Sequence, residues 1–206
     1  MSTSMVEYAR RLLSGEIICR WTDSDAFEVI ESEDARFILD EHLSFLGAKI
    51  AQTPNGNGFY LVMDPLVIDI KKRSREVFSD VMKNYRTVLH WMNVFMKSMS
   101  PDRPILGGDT FRLVDIHSHV ANDPTLQNDL NRIKKIKGDN TRKQLENLVN
   151  DLMSKGIIIK VDEHHEIYRF TAKVDLINEY LEFIADHESI STDEVVNSHI
   201  KQSSLL

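Results

Sequence analysis

Twice along this chain an amphipathic helical segment stops at a glycine and runs straight into an apolar strand. Gly47 precedes Ala48-Lys49-Ile50-Ala51-Gln52-Thr53, and Gly156 precedes Ile157-Ile158-Ile159-Lys160-Val161. Glycine adopts the left-handed conformation that ends a helix without a Cβ clash. Each strand then meets a polar turn and returns. Pro54-Asn55-Gly56-Asn57-Gly58 leads to Phe59-Tyr60-Leu61-Val62-Met63, and Asp162 to Glu166 leads to Ile167-Tyr168-Arg169-Phe170-Thr171. Asn-Gly between β-prone runs is a strong hairpin signal. The chain is thereby confined to folds in which a hairpin closes a helical unit, twice.

The segments ahead of the first hairpin have helical periodicity. Val6, Ala9, Leu12 and Leu13 form a stripe that Gly15 ends, and Ile17 to Trp21 is a short extended piece. Thr22-Asp23-Ser24-Asp25 cap a helix through Ile30. Ser32 starts a third helix, with Phe37, Ile38, Leu39, Leu43 and Leu46 on one face.

In the second half a long helix runs from Lys71 or Ser74 to Met99, where Ser100-Pro101 ends it. A helix from Asp109 or Thr110 through Val120 is predicted next, then a short amphipathic piece from Leu126 to Ile133. Asn140-Thr141 begins a helix whose inner face is Leu145, Leu148, Val149, Leu152 and Met153. Val174 to Asp186 is the last helix, and the polar residues from Ser189 onward are expected to be loose.

Counting the main helices, each half has three followed by a hairpin, and the second half ends in one more. Three helices closed by a β-hairpin is the winged-helix arrangement. The expected fold is α+β, mostly α: tandem winged-helix domains with two hairpin wings and a C-terminal helix. The expected boundaries are 1–66 for the N-terminal domain, 67–188 for the C-terminal domain with its long linking helix, and 189–206 for the tail.

Composition excludes several function classes. The single cysteine, Cys19, rules out an internal disulfide framework and a multi-cysteine zinc site. Flanked by Ile17, Ile18 and Trp21, it reads as packing. No window approaches the roughly 18 uncharged apolar residues of a membrane helix. Met1 to Glu7 has no basic region followed by an apolar core, so no signal peptide is expected, and a reducing cytoplasm is the expected compartment.

Catalytic and metal signatures are equally sparse. There is no Walker motif, and Gly107-Gly108 is an isolated pair. His117-Ser118-His119 would hold an ion on a strand, but on the predicted helix the two imidazoles point about 200° apart. His164 and His165 fall at a turn and are expected to be solvated. No metal, no cofactor and no catalytic set is expected.

The charge is informative because it is uneven. The formal net is −7, yet residues 162–206 carry ten acids and three bases, so the rest of the chain is balanced. Arg132, Lys134, Lys135, Lys137, Arg142 and Lys143 fall within twelve residues, opposed by Asp139. They lead into the first turn of the helix that precedes the second hairpin, where helix-turn-helix proteins meet a duplex. Phosphate contacts there are expected to be weak and sequence-independent. Glu146 and Asp151 on the same helix, and the acidic turn Glu163-His164-His165-Glu166, disfavour base readout. Lys71, Lys72, Arg73 and Arg75 form a second cluster, read as the charged face of an amphipathic helix.

Two helices invite protein contacts. Tyr85, Leu89, Met92, Phe95 and Met96 make the long helix apolar on more than one face, as a core helix or a dimer seam would be. The last helix sets Leu176, Tyr180, Phe183 and Ile184 among Asp175, Glu179, Glu182 and Asp186, a pattern suited to a protein partner.

Four stretches carry a family resemblance. Leu12-Leu13-Ser14-Gly15-Glu16-Ile17-Ile18, the aromatic return Gly58-Phe59-Tyr60-Leu61, the helix end Met99-Ser100-Pro101, and Leu145 to Gly156 with Ile157 to Thr171 together resemble the MukE/MksE family of bacterial condensin accessory subunits. The resemblance spans about residues 12–188. A shorter connection after Phe111 and a short tail depart from some relatives.

The resemblance implies a non-catalytic homodimer near the SMC ATPase heads. It would bind a kleisin (MukF/MksF-like), work beside an SMC ATPase (MukB/MksB-like) and help retain double-stranded DNA. It implies a nucleoid-associated role in chromosome organisation and segregation, or in plasmid exclusion. The alternative from the residues is a dimeric winged-helix transcription regulator with a specific operator. A third, a metal-dependent hydrolase, would need His117 and His119.

Overall fold

The computed structural model describes residues 3–63, 70–99, 102–133 and 136–187. The first unit runs α1 (Thr3–Leu13), β1 (Ile18–Cys19), α2 (Ser24–Glu31), α3 (Glu33–Ser44), β2 (Ala48–Gln52) and β3 (Gly58–Met63). The caps are local chemistry. Asp23 accepts from the Ala26 N–H at 3.0 Å and Ser32 from the Ala35 N–H at 3.4 Å, each satisfying a donor that the first turn leaves free. Gly15, Gly47 and Gly56 have φ of +87°, +64° and +70°, so the helix stops and the hairpin turn stand where the glycines are. β3 lies between β1 and β2, antiparallel to both, with Ile18 opposite Phe59 and Ile50 opposite Leu61.

The core of this unit gathers Leu12, Ile18, Phe27, Ile30, Leu39, Leu43 and Phe59. Two predicted faces are corrected. On α1 the inward stripe is Met5, Tyr8, Ala9 and Leu12, while Val6 and Leu13 face out. On α3, Leu39 and Leu43 face in, while Phe37 and Ile38 face out, and Leu46, past the helix end, is also exposed. Five apolar residues over ten positions cannot share one narrow stripe at 3.6 residues per turn. The core takes the pair spaced i, i+4.

The second unit runs α4 (Ile70–Met99), β4 (Thr110–Arg112), α5 (Leu113–Asn122), α6 (Pro124–Arg132), α7 (Thr141–Ser154), β5 (Ile158–Asp162), β6 (Ile167–Phe170) and α8 (Lys173–His187). The strand order is β4-β6-β5, antiparallel throughout, repeating the layout of the first sheet. Two differences from the sequence expectation stand out. Residues 110–112 are a strand, not the start of a helix. Phe111 pairs with Tyr168 across the ladder, their rings stacked 5.4 Å apart. Asp109 serves the turn instead of capping a helix: its carboxylate accepts from Leu106 N at 2.9 Å and binds Arg103. Four helices, α4 to α7, precede the second hairpin rather than three, because Asp123 caps α6 and Pro124 opens it.

The final stretch of α4 is buried on several sides. Phe95, fully buried, lies 4.8 Å from the Phe111 ring and 5.5 Å from Phe170. Val120, Leu130, Leu145, Leu148 and Val174 complete the surrounding core. Of the α4 positions before Asn84, only the helical backbone from Ile70 is described, and the basic cluster Lys71 to Arg75 lies there.

The units meet through close backbone approaches. A Cβ on Gly58 of β3 would sit 2.7 Å from the Ala172 Cβ. The Trp21 ring lies over Gly107 and Gly108, where added Cβ atoms would come within 2.8 and 2.6 Å of it. Gly107 N–H donates to the buried Asp175 carboxylate at 2.8 Å. The loop after β1 thereby packs on the segment before β4 and the start of α8. The expected tail, 189–206, lies outside the described residues.

Candidate nucleic-acid and partner surfaces

The basic strip is held by α7. Asn140 caps the helix by accepting from the Lys143 N–H at 2.8 Å. Gln144 donates to the Leu130 and Ile136 carbonyls at 3.2 and 3.3 Å, and Asn147 donates to the Lys137 carbonyl at 2.7 Å. Ile133 and Ile136 are buried beneath the segment. A Cβ on Gly138 would strike the Gln144 backbone nitrogen at 2.5 Å, so the chain crosses α7 in direct contact. Lys134 and Lys135 lie outside the described residues.

The cations of this strip differ in their surroundings. Arg132 and Lys137 are exposed and make no ion pair among the described residues. Arg142 is braced. Its Nε meets Glu146 at 3.0 Å and its Nη2 meets Glu166 at 2.6 Å. Lys143 also reaches Glu146, at 3.3 Å. The hydrogen bonds from Arg142, then Lys143, hold the Glu146 carboxyl below the usual carboxylate range. Glu146 and Glu166 therefore pair with both cations at the mouth of α7, Arg142 and Lys143. The sequence carried a signal only for Glu146, at i+4 from Arg142; Glu166 arrives from the hairpin.

The candidate seam residues Tyr85, Met92, Phe95 and Met96 are buried in this chain's own core, and Leu89 is half-buried. The α8 set divides. Leu176 and Ile184 face inward, while Tyr180 and Phe183 are half exposed.

Two further apolar surfaces escaped the sequence reading. Phe37 is 71% and Phe45 86% exposed, and Ile38 and Leu46 beside them are also open to solvent. Exposed large apolar groups of this kind mark a contact surface where they form a contiguous patch. The available signal was the excess of apolar residues on α3 and at its C-cap, Phe45. The second surface is a groove of about 560 Å³ between α4, α7 and α8. Tyr85, Val88 and Trp91 line it from α4, Leu148 from α7, and Ile177 and Leu181 from α8. Asp151, Lys155 and Lys173 add charged groups to the lining, Lys155 paired with Asp151 and its carbonyl bonded to Lys173. Nothing local announces it, since three separate helices make its walls.

Other sequence candidates resolve simply. His117 and His119 lie on α5, where alternate residues diverge. No group of three His, Cys, Asp or Glu suited to a metal ion occurs among the described residues. His165 donates twice within its own turn, its backbone N–H and ring Nδ1 each 2.9 Å from an Asp162 carboxylate oxygen. Cys19 is buried, with Sγ 3.3 Å from the Thr22 hydroxyl. No described helix is long and apolar enough to cross a membrane.

No curated protein matches the sequence. The match to the family described as condensin complex protein MksE covers residues 6–181, both units and most of α8. The chain belongs to the MksE family of condensin complex proteins.

Proposed function

We propose that this chain is a non-catalytic scaffold of its condensin complex, binding the kleisin as a homodimer and helping to retain DNA near the SMC ATPase heads. The single observation that carries this is family membership over residues 6–181 on a duplicated winged-helix fold. The exposed aromatic groups on α3 and α8 support a role in protein contacts. The exposed Arg132 and Lys137 support weak phosphate contact, with Lys134, Lys135, Arg142 and Lys143 as the rest of that surface. The domain boundaries near residue 66 and residue 188, the seam on α4 and the partner surface on α8 belong to the same proposal. So does a cytoplasmic, nucleoid-associated location, with chromosome segregation or plasmid exclusion as the biological role.

The test is affinity purification of the tagged chain from its native cells under gentle salt, followed by mass spectrometry. Recovery of a large SMC ATPase with a kleisin is the expected result. A homodimer recovered alone would overturn the scaffold reading and turn attention to an operator search.

A further inference from the structure

The groove between α4, α7 and α8 differs from the other apolar surfaces in carrying charged side chains in its lining. Lys173 opens α8 and is half-buried there. Its ammonium donates to the Lys155 carbonyl at 2.8 Å. No carboxylate pairs with it among the described residues, although Lys155 pairs with Asp151. Burial first, and the nearby Lys155 second, push the Lys173 pKa below its ordinary value. An ammonium set among apolar walls without a counter-ion is electrostatically incomplete. A carboxylate delivered to that spot would gain a charge-assisted hydrogen bond in partly dry surroundings.

The shape limits the occupant further. Among the described side chains the α4 lining runs from Asn84 to Trp91 and the α8 lining from Lys173 to Leu181. At 1.5 Å per residue these are walls of about 10 to 12 Å, or roughly two helical turns. A trough of that length, mostly apolar and with the unpaired Lys173 at the start of its α8 wall, fits the helix-in-groove or short extended modes of peptide recognition. Apolar anchors would lie over Val88, Trp91 and Ile177, and one acidic residue would lie at the end near Lys173.

We propose that this groove seats an apolar segment of a protein partner, oriented by a carboxylate of that segment pairing with Lys173. This rests on the scaffold reading above and names the chemistry of one partner contact within it. The rule for the segment is an amphipathic stretch with an Asp or Glu at its edge.

The test is site-specific photo-crosslinking in native cells with the full-length chain. A benzophenone side chain replaces Val88 or Tyr180 at the groove, or Val114 on α5 as a remote control. Crosslinked peptides are mapped by mass spectrometry. The expected result is crosslinking from the groove positions to an apolar stretch of another protein, with Asp or Glu within one helical turn. Lys173→Glu should cut that yield at least about tenfold, while Lys173→Arg should keep it within about threefold. Circular dichroism and melting of each variant separate lost docking from lost folding. If Lys173→Glu fails to fold, the arginine variant and the composition of the mapped peptide still decide.

Groove crosslinks to a segment without a carboxylate, to this chain's own tail or to a second copy would overturn the proposal. Yields insensitive to Lys173→Glu, or no groove crosslink at all, would overturn it too. If a kleisin and an SMC ATPase co-purify while the groove stays uncrosslinked, the scaffold reading stands and this assignment falls. If the groove captures an acidic apolar segment of some other protein while neither subunit is recovered, this assignment stands and the scaffold reading falls.

Discussion

The Arg142 guanidinium grips the Glu166 carboxylate across 24 positions of sequence, Nη2 to Oε1 at 2.6 Å, tying the first turn of α7 to the turn of the second hairpin. Glu166 is the only non-glycine residue with positive φ among those described, at +49°. Its carbonyl also accepts from the Leu113 N–H at 3.1 Å. One residue thus joins the hairpin turn, the start of α5 and the mouth of α7.

Removing the Glu166 charge should free the Nη2 edge of Arg142 for phosphate, while Glu146 continues to hold its Nε. Glu166→Gln is expected to strengthen binding of a random duplex. It should also steepen the dependence of log affinity on log salt by about 0.9, the value of one added phosphate contact. Fluorescence anisotropy at four salt concentrations measures both. An unchanged slope would mean that Arg142 serves only to brace the hairpin.

Reversal of Lys134, Lys135 and Lys137 to Glu should act in the opposite sense. Affinity is expected to fall uniformly across unrelated duplex sequences, and the salt slope to flatten. Loss confined to one sequence would instead indicate base readout on this surface.

Gly58 should tolerate no side chain. Its φ is not in the left-handed region, so the cost of Gly58→Ala is steric, from the Ala172 Cβ at 2.7 Å and Ile17 Cγ2 at 3.1 Å. A destabilisation of about 1–3 kcal/mol is expected from forced overpacking. Ala172→Gly in the same chain should recover part of it, with a coupling of at least about 0.5 kcal/mol in a double-mutant cycle by urea unfolding. Strict additivity would show that the two units do not press together at this point.

Acid should remove what Asp23 contributes. The Ala26 N–H, then the Arg11 guanidinium, hold its carboxyl below the ordinary carboxylate range. A folded pKa below the unfolded one means the contribution is complete above the unfolded value of about 3.9. It is lost as pH falls from there through the lower folded value. Asp23→Asn keeps the cap but loses the charge pairing with Arg11 at 2.6 Å. The variant should be less stable than the parent at pH 7, and the gap should close as pH falls below the carboxylate range. A gap constant from pH 7 to the acid limit would locate the effect elsewhere.

Local chemistry made a good deal of this chain legible. Gly47 and Gly156 stop their helices with nearly equal φ, +64° and +66°, because no other residue adopts that conformation so cheaply. Asp23, Ser32 and Asn140 cap helices at their predicted places because each bond is made within three residues. The Asn-Gly turn forms its hairpin for the same reason. From such elements the duplicated unit and its family follow.

Tertiary structure alone decided which faces and charges remain available. Whether Leu39 or Phe37 faces the core depends on where β2 and α1 lie, not on α3 itself. Thr110 to Arg112 became a strand because β6 offered Phe111 a partner in Tyr168. Arg142 lost its freedom to a carboxylate brought back by the hairpin, and Lys173 gained apolar walls from α4 and α7. Caps, stops and turns act over a few residues and are written in the sequence. Burial and ion pairing depend on which distant groups arrive in space, and only the packed chain determines that.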